Sequence, residues 1–255
     1  MEFNIKGKKY KLISDLHTHS NFSKGIFLAH AKGSIEDNVA IAKSIRLKKI
    51  GITDHGPSHF FFGVRKNKLP LIKNKIDNLS KENDDIEILL GVEANITKNG
   101  IDIKKKDNAN YDYIAAGFHH GAWENFSDFL FSLTNFIKLK LNIKTKKFIK
   151  KNTEIIIRAL RENEIYMLTH PGDKLPVDLV KIAEVCAERN TVFEINSHHL
   201  SFSKEDLMEV AKTKVSFIVS SDAHSPKNIG NIQKGLELLI AANIPMERVI
   251  NIEAV

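Results

Sequence analysis

"IEILLGVEAN", residues 86–95, is apolar for most of its length and then carries a glutamate. A run that apolar reads as a strand buried on both faces, the habit of a parallel sheet. Six other runs share it: "YKLISD" (10–15), "KKIGITD" (48–54), "YDYIAAGF" (111–118), "IYMLTH" (165–170), "TVFEINS" (191–197) and "VSFIVSSD" (215–222). Amphipathic stretches lie between them. "SIEDNVAIAKSIRL" (34–47) begins with Ser34 and Asp37 in capping-box spacing and sets Ile35, Val39 and Ala42 on one face. "TEIIIRALREN" (153–163) and "NIQKGLELLIAAN" (231–243) have similar faces. Strands alternating with helices imply an α/β fold with a parallel sheet or barrel. The 255 residues suit one α/β barrel as a single domain, 1–255. A last run, "RVINIEA" (248–254), is placed to close or flank it.

The polar residues collect where these runs end. Asp15, His17 and His19 follow the first, and Asp54 and His55 the second. Glu93 ends the third, His119 and His120 the fourth, and His170 the fifth. Glu194, His198 and His199 mark the sixth, and Asp222 and His224 the seventh. Parallel β/α barrels build their sites from the C-terminal ends of the strands. On an extended strand, His17 and His19 point to one side. Of the eleven histidines, ten lie in or just past predicted strand ends, and His30 lies in the loop after the first. Chance would have scattered several onto helices. So many imidazoles on one rim, with carboxylates, are costly to desolvate unless they hold cations. His, Asp and Glu donors without cysteine suit zinc, manganese or iron, and they are too many for one ion. Two or three divalent ions are implied, with Glu93 able to bridge.

Composition narrows the setting. No stretch approaches the roughly 20 apolar residues of a membrane span, so no membrane partner is expected. The start, "MEFNIKGKKYKLI", has no apolar secretion signal. The one cysteine, Cys186, shares a helical face with Leu179, Ile182 and Ala183 and reads as buried. These features suggest the cytoplasm. Net charge is +7, and the densest basic run is "KLKLNIKTKKFIKK" (138–151), read as a solvated helix face. A patch that attracts phosphates or nucleic acid is the alternative.

"DLHTHS", "GITDHGP", "GVEAN", "AGFH", "THPG", "EIN" and "SDAH", in this order, resemble the PHP (polymerase and histidinol phosphatase) superfamily along nearly the whole chain. The likeness is strongest to the stand-alone bacterial PHP phosphatases with a trinuclear metal centre. It implies a distorted (β/α)7, TIM-like barrel with metals at the C-terminal ends of the strands. It implies nine ligands: His17, His19, His30, His55, Glu93, His119, His170, Asp222 and His224. One metal would take His17, His19, Glu93 and Asp222; a second, Glu93, His119 and His170; a third, His30, His55 and His224. His30 is matched through "HAKGSIED", although its loop is stretched.

The resemblance implies a metal-dependent phosphatase of small phosphate monoesters. Clustered divalent ions roughly 3.5–4 Å apart suit attack by a metal-held hydroxide on phosphorus. Glu93, Asp222 and His224 carry the catalytic centre in this reading. Asp15 and Asp54 sit beside ligands and orient imidazoles, or else cap strand ends. His59, His120, His198 and His199 are candidates to touch phosphate or protonate a leaving group. Arg65 is the preferred phosphate clamp, ahead of Lys174 and Lys227. A nuclease or phosphodiesterase, an amidohydrolase and a non-catalytic metal-binding domain stand as alternatives. Substrate, native metal and oligomeric state stay open.

Overall fold

The structure is a computed structural model that describes residues 2–24 and 30–255. A small antiparallel sheet, order β1-β2-β11, is made of β1 (Glu2–Ile5), β2 (Lys8–Leu12) and the C-terminal β11 (Ile252–Ala254). The main sheet follows with β3 (Ser14–Thr18), α1 (Ile35–Ser44), β4 (Lys49–Ile52), α2 (Leu69–Glu82) and β5 (Glu87–Thr97), which forms a hairpin with β6 (Gly100–Ile101). It continues with β7 (Tyr113–Gly117), α3 (Phe126–Lys140), α4 (Lys146–Glu162), β8 (Met167–Leu168), α5 (Leu179–Arg189), β9 (Val192–Asn196), α6 (Lys204–Val210), β10 (Phe217–Ser220) and α7 (Gln233–Ala241). Seven strands in the order β10-β9-β8-β7-β5-β4-β3 form a parallel, nearly closed barrel, as expected.

Period-two alternation decides what fills it. From β7, Ile114 and Ala116 face the outer helices, while Tyr113 and Ala115 face inward. Met167, Val192, Ile218 and Leu16 join them in an apolar plug at the barrel's floor. The Tyr113 hydroxyl donates to the Leu16 carbonyl at 2.6 Å. Gly51 makes room for it, because a Cβ there would lie 1.8 Å from the phenolic oxygen. Further toward the strand ends, the inward positions include Glu93 on β5, Glu194 on β9 and His17 on β3, all fully or almost fully buried. The barrel is therefore oily below and ionisable above.

Two expectations need correction at the seam. "YKLISD" is not one strand: Tyr10 to Leu12 belong to β2 in the small sheet, and the barrel strand begins at Ser14. The C-terminal run flanks the barrel as β11, yet Asn251 just before it helps to close the wall. Its amide donates to Ser14 O (2.8 Å) and Val219 O (2.7 Å) and accepts from Val219 N (3.1 Å), joining β3 to β10. At the other end of the seam, His19 N donates to Ala223 O at 2.8 Å. β3 also shifts register between Asp15 and Thr18. Such a bulge re-aims side chains, and consecutive Leu16 and His17 both serve the barrel interior.

Helix signals are met where the sequence carried them. Ser34 and Asp37 form the α1 capping box, and Ile35, Val39 and Ala42 are buried. Ile155, Ile156, Ala159 and Leu160 form the buried face of α4. Cys186 is buried on α5, and burial pushes its thiol pKa up. The basic run 138–151 is not one helix face: it passes from the end of α3, through a turn with Asn142 at φ 52°, into the first turns of α4. Among the described residues, no helix is long and apolar enough to cross a membrane.

Candidate metal centre

Glu93 stands at the middle of a shell of imidazoles. Its Oε1 lies 2.8 Å from His170 Nε2 and 3.3 Å from both His17 Nε2 and His119 Nε2. Its Oε2 lies 3.0 Å from His55 Nδ1 and 3.6 Å from His19 Nε2. Asp222 Oδ1 sits opposite, 3.2 Å from His19 Nε2 and 3.5 Å from His17 Nε2 and His224 Nδ1. Burial alone would keep both carboxyls neutral, but the surrounding imidazoles hold each well below the usual carboxylate range.

The donor set fits divalent cations on this structure's own chemistry. His17 Nε2, both nitrogens of His19, His55 Nδ1, His170 Nδ1 and Asp222 Oδ1 are buried without a hydrogen-bond partner. Buried polar atoms are rarely left so. Burial, with neighbouring imidazoles, holds His19 at a pKa of about 3, and burial does the same to His55 and His119. These rings are neutral, the form that ligates. Burial also pulls His17 down, but Asp222, Glu194 and Glu93 together raise it well above 6.5, so metal uptake there requires loss of a proton.

Three groups of ligand atoms lie close enough to share an ion: His17, His19 and Asp222; His55, Glu93 and His119; and His19, His55 and His224. This grouping overlaps with the one the family pattern implies. His55 lies with Glu93 as well as with His224, and His19 joins the third group as well as the first. His30 is nevertheless at the cluster, its Nε2 2.7 Å from His224 Nε2 and its ring stacked on Phe62 at 3.9 Å. Most of the stretched stretch before it, residues 25–29, lies outside the described residues. His170 keeps company with His119 at 3.2 Å as well as with Glu93.

Fixed tautomers aim these rings. His17 donates from Nδ1 to Glu194 Oε1 at 2.7 Å. His119 donates from Nδ1 to Asn95 Oδ1 at 2.9 Å, an assignment forced because the Asn95 amide nitrogen already serves Asp102 and Gly56 O. His224 donates from Nδ1 to Asp222 O at 2.8 Å. In all three, Nε2 is left for a metal. The sequence places Glu194 among the strand-end residues without giving it a role, and it does not single out Asn95. Their signal was present, because Glu194 and Asn196, like Glu93 and Asn95, alternate into the barrel.

Asp15 and Asp54 behave as strand-end braces. Asp15 accepts from Ser221 N (3.3 Å), the Ser221 hydroxyl and Gly230 N (2.9 Å), tying β3 to the end of β10. Asp54 accepts from Ser20 N (2.7 Å) and Ser20 Oγ (2.5 Å), while His19 Nδ1 stays 3.9 Å away. His170 and Asp222 both take positive φ, 29° and 52°, unusual for residues with a Cβ and a mark of strained site positions.

A cavity of about 390 Å³ opens over the cluster. His59, His120, His198, His199 and Lys174 line it beside the ligands and Phe62. Arg65 does not. Its guanidinium donates to Pro57 O at 2.8 Å and it lines a separate cleft, so the phosphate-clamp expectation fails for it. Lys227 is exposed and outside the cavity as well. Lys174, at φ 57°, is the aliphatic cation that faces the site, 3.3 Å from Asp173.

Gly117 shows how tightly the shell is supported. A Cβ there would lie 2.2 Å from Thr169 Oγ1 and 2.7 Å from His170 Cε1. Gly117→Ala is therefore expected to push His170 off Glu93 and weaken metal binding about 10–100-fold, as disturbing a ligand's support does. Titration of metal into the chelated variant measures this; unchanged affinity would mean that His170 is not a ligand.

The sequence profile of the PHP domain matches residues 15–198. The chain belongs to the PHP domain family. Its relatives span nearly all of it. A Proteus mirabilis (strain HI4320) protein described as a "Probable phosphatase" is 27% identical over 93% of this chain and 89% of that protein. A Clostridium acetobutylicum protein with the same description is 28% identical over 94% of this chain and 91% of that one. Among solved PHP-like folds, the histidinol phosphate phosphatase of Lactococcus lactis subsp. lactis Il1403 superposes with a TM-score of 0.58. That structure contains zinc, L-histidinol and phosphate, is 16% identical, and covers 91% of this chain and 94% of its own. At that identity the likeness speaks for the PHP barrel alone.

Proposed function

We propose that this chain is a metal-dependent phosphatase of small phosphate monoesters, working at a centre of two or three divalent ions. One observation carries the reading: a buried glutamate meets five imidazoles within 3.6 Å, and several of their nitrogens have no other partner. The phosphatase descriptions of its relatives support the reaction class. His17, His19, Glu93 and Asp222 would hold one ion, with Glu93, His55, His119 and His170 around a second. His224, His30, His55 and His19 would hold a third. Zinc suits these donors best, and manganese or iron also fits.

Such ions supply Lewis acidity towards phosphate oxygens and lower the pKa of coordinated water. The chain's own residues do the rest. Lys174 adds positive charge at the cavity wall for the phosphate dianion. His59 Nδ1 accepts from Phe62 N at 3.1 Å, so its proton sits on Nε2 and is available to a phosphate or leaving oxygen. His199 stands 3.4 Å from Asp173 and 3.8 Å from Asp222 Oδ2, and His120 and His198 complete the histidine wall. We read residues 1–255 as one catalytic domain, with ligands drawn from His17 to His224. The lone buried thiol of Cys186 supports a cytoplasmic setting.

The test is phosphate release from a panel of monoesters and one generic diester, with added Zn²⁺ or Mn²⁺ and again after chelation. Monoester hydrolysis that chelation abolishes is the expected result. Cleavage of the diester alone would replace this reading with a nuclease. Silence on both in metal-loaded protein would leave the amidohydrolase or binding-domain readings.

A further inference from the structure

α3 is built inside out. The face it turns to the barrel carries Asp128, Ser132 and Asn135 beside Phe131, all buried. Asp128 accepts from Lys98 N and Glu124 N, and Asn135 accepts from Asn152, so the inward polar groups have work there. The outward face carries Phe126, Leu130, Leu133, Phe136 and Ile137, and Leu141 continues it. All six are exposed, Phe126 by 72% and Leu141 by 64%. Positions 126, 130, 133 and 137 fall on one stripe of the helix. Trp123 carries the stripe on to Phe60, whose ring stacks on it at 5.9 Å and is itself exposed. A monomeric surface rarely leaves so contiguous an apolar patch without a partner.

Charge identifies the partner. The segment that leaves α3 and starts α4, residues 138–151, holds seven lysines and no acid. Between the two helices lies a cavity of about 380 Å³. Lys98, Lys138, Lys147 and Lys151 line it with Thr134 and Thr145, and no carboxylate does. Lys138 is held at its wall, its Nζ 4.2 Å from the centre of the Phe148 ring. Leu130, on the apolar stripe, lines the same cavity. An apolar stripe thus borders a cationic hollow large enough for a phosphate headgroup.

We infer that α3 and the start of α4 form a peripheral docking surface for a bilayer rich in anionic phospholipid. The stripe enters the boundary between headgroups and acyl chains, and the lysines of the hollow take headgroup phosphates. At about 22 Å, α3 lies along the surface without crossing it. The expectation of no membrane partner rested on the lack of a span, and lying on a membrane is a separate property. A second copy of this chain is disfavoured as the occupant. A parallel two-fold pairing of the stripe would bring the two lysine segments together, with like charges opposed, and light scattering tests the antiparallel one. The inference does not depend on the phosphatase reading, since none of these residues belongs to the metal centre.

Co-sedimentation of the metal-loaded protein with vesicles tests it, using equimolar phosphatidylcholine and phosphatidylglycerol against phosphatidylcholine alone. Binding to the anionic vesicles only, released by high salt, is expected. Leu133→Ser with Ile137→Ser removes the stripe, and Lys147→Glu with Lys151→Glu reverses the hollow. Each pair is expected to weaken binding about tenfold or more, at ~1 kcal/mol per lysine near an anionic surface. All four sites are exposed, and unchanged circular dichroism and phosphate release would show the fold intact. Wild-type protein left in the supernatant with both vesicles overturns the inference. So does equal binding to the neutral vesicles, or binding that survives the lysine reversals. Light scattering that finds a dimer split by Ile137→Ser would make a second copy the occupant.

Discussion

Glu93→Ala should lose nearly all hydrolysis, by about 10³-fold or more in kcat/KM, and most of its bound metal. Removing one preorganised electrostatic contact already costs about 10²–10³ in turnover, and this carboxylate lies within 3.6 Å of five imidazoles. Both its oxygens are engaged, Oε1 with His17, His119 and His170 and Oε2 with His55 and His19. Alanine would leave those imidazoles around a centre short of negative charge, unable to balance two or more dications. The barrel should still fold, because β5 is held by its full register with β4 and β7 rather than by this side chain. Glu93→Gln guards the conclusion. It keeps the volume of the side chain while losing the charge, and it should also lose metal. Metal content by mass spectrometry, kcat/KM on the best monoester and far-UV circular dichroism separate the outcomes. Near-normal turnover in a well-folded Glu93→Gln protein would remove Glu93 from the metal centre.

The strands were legible because alternation and site chemistry coincide. In β5 the outward Leu90, Val92 and Ala94 make the run apolar, and the inward Glu93 and Asn95 break it near the C-terminal end of the strand, where a barrel places its site. The same logic brought His55, His119, His170 and Asp222 to one centre. Less was legible where a loop decides the outcome. Arg65 follows "GITDHGP" closely in sequence, but the turns between Pro57 and Phe62 leave it exposed, where the Pro57 carbonyl holds it. Lys174 looked weaker, yet it lines the cavity from a left-handed backbone position that its sequence did not announce. The two aspartates beside ligands were ambiguous, since a carboxylate next to a strand end finds backbone N–H groups as readily as imidazoles; here Ser20, Ser221 and Gly230 claimed them. β8 pairs through only two residues, so "IYMLTH" overstated a strand whose remaining residues turn His170 into the site. The character of α3 could not be read, because a periodic helix pattern does not say which face is covered.

Glu194→Gln carries the second large effect, and it acts through proton placement. Glu194 is fully buried and accepts three N–H groups: His17 Nδ1 at 2.7 Å on Oε1, and His170 N at 2.6 Å and Asn196 Nδ2 at 3.0 Å on Oε2. A carboxylate satisfies all three, but an amide offers one acceptor oxygen and two donors. If the amide oxygen stays toward His17, its NH₂ meets the His170 N–H and the Asn196 amide, donor against donor. If it turns round, the NH₂ faces His17 Nδ1 and drives that ring's proton onto Nε2, the nitrogen that points at Glu93 and Asp222. Either way a ligand is spoiled, through the tautomer of His17 or the position of the His170 backbone. Loss of such support typically costs 10–100-fold in metal affinity, and one unsatisfied buried N–H costs about 1–3 kcal/mol of stability. Competition against a chelating dye should therefore show affinity down about 10–100-fold, with a lowered melting temperature in the metal-free protein. At saturating metal, turnover should recover in large part, which separates a positioning residue from one that touches the reacting atoms. Unchanged affinity would mean that the Glu194–His17 hydrogen bond does not set the ligand's tautomer.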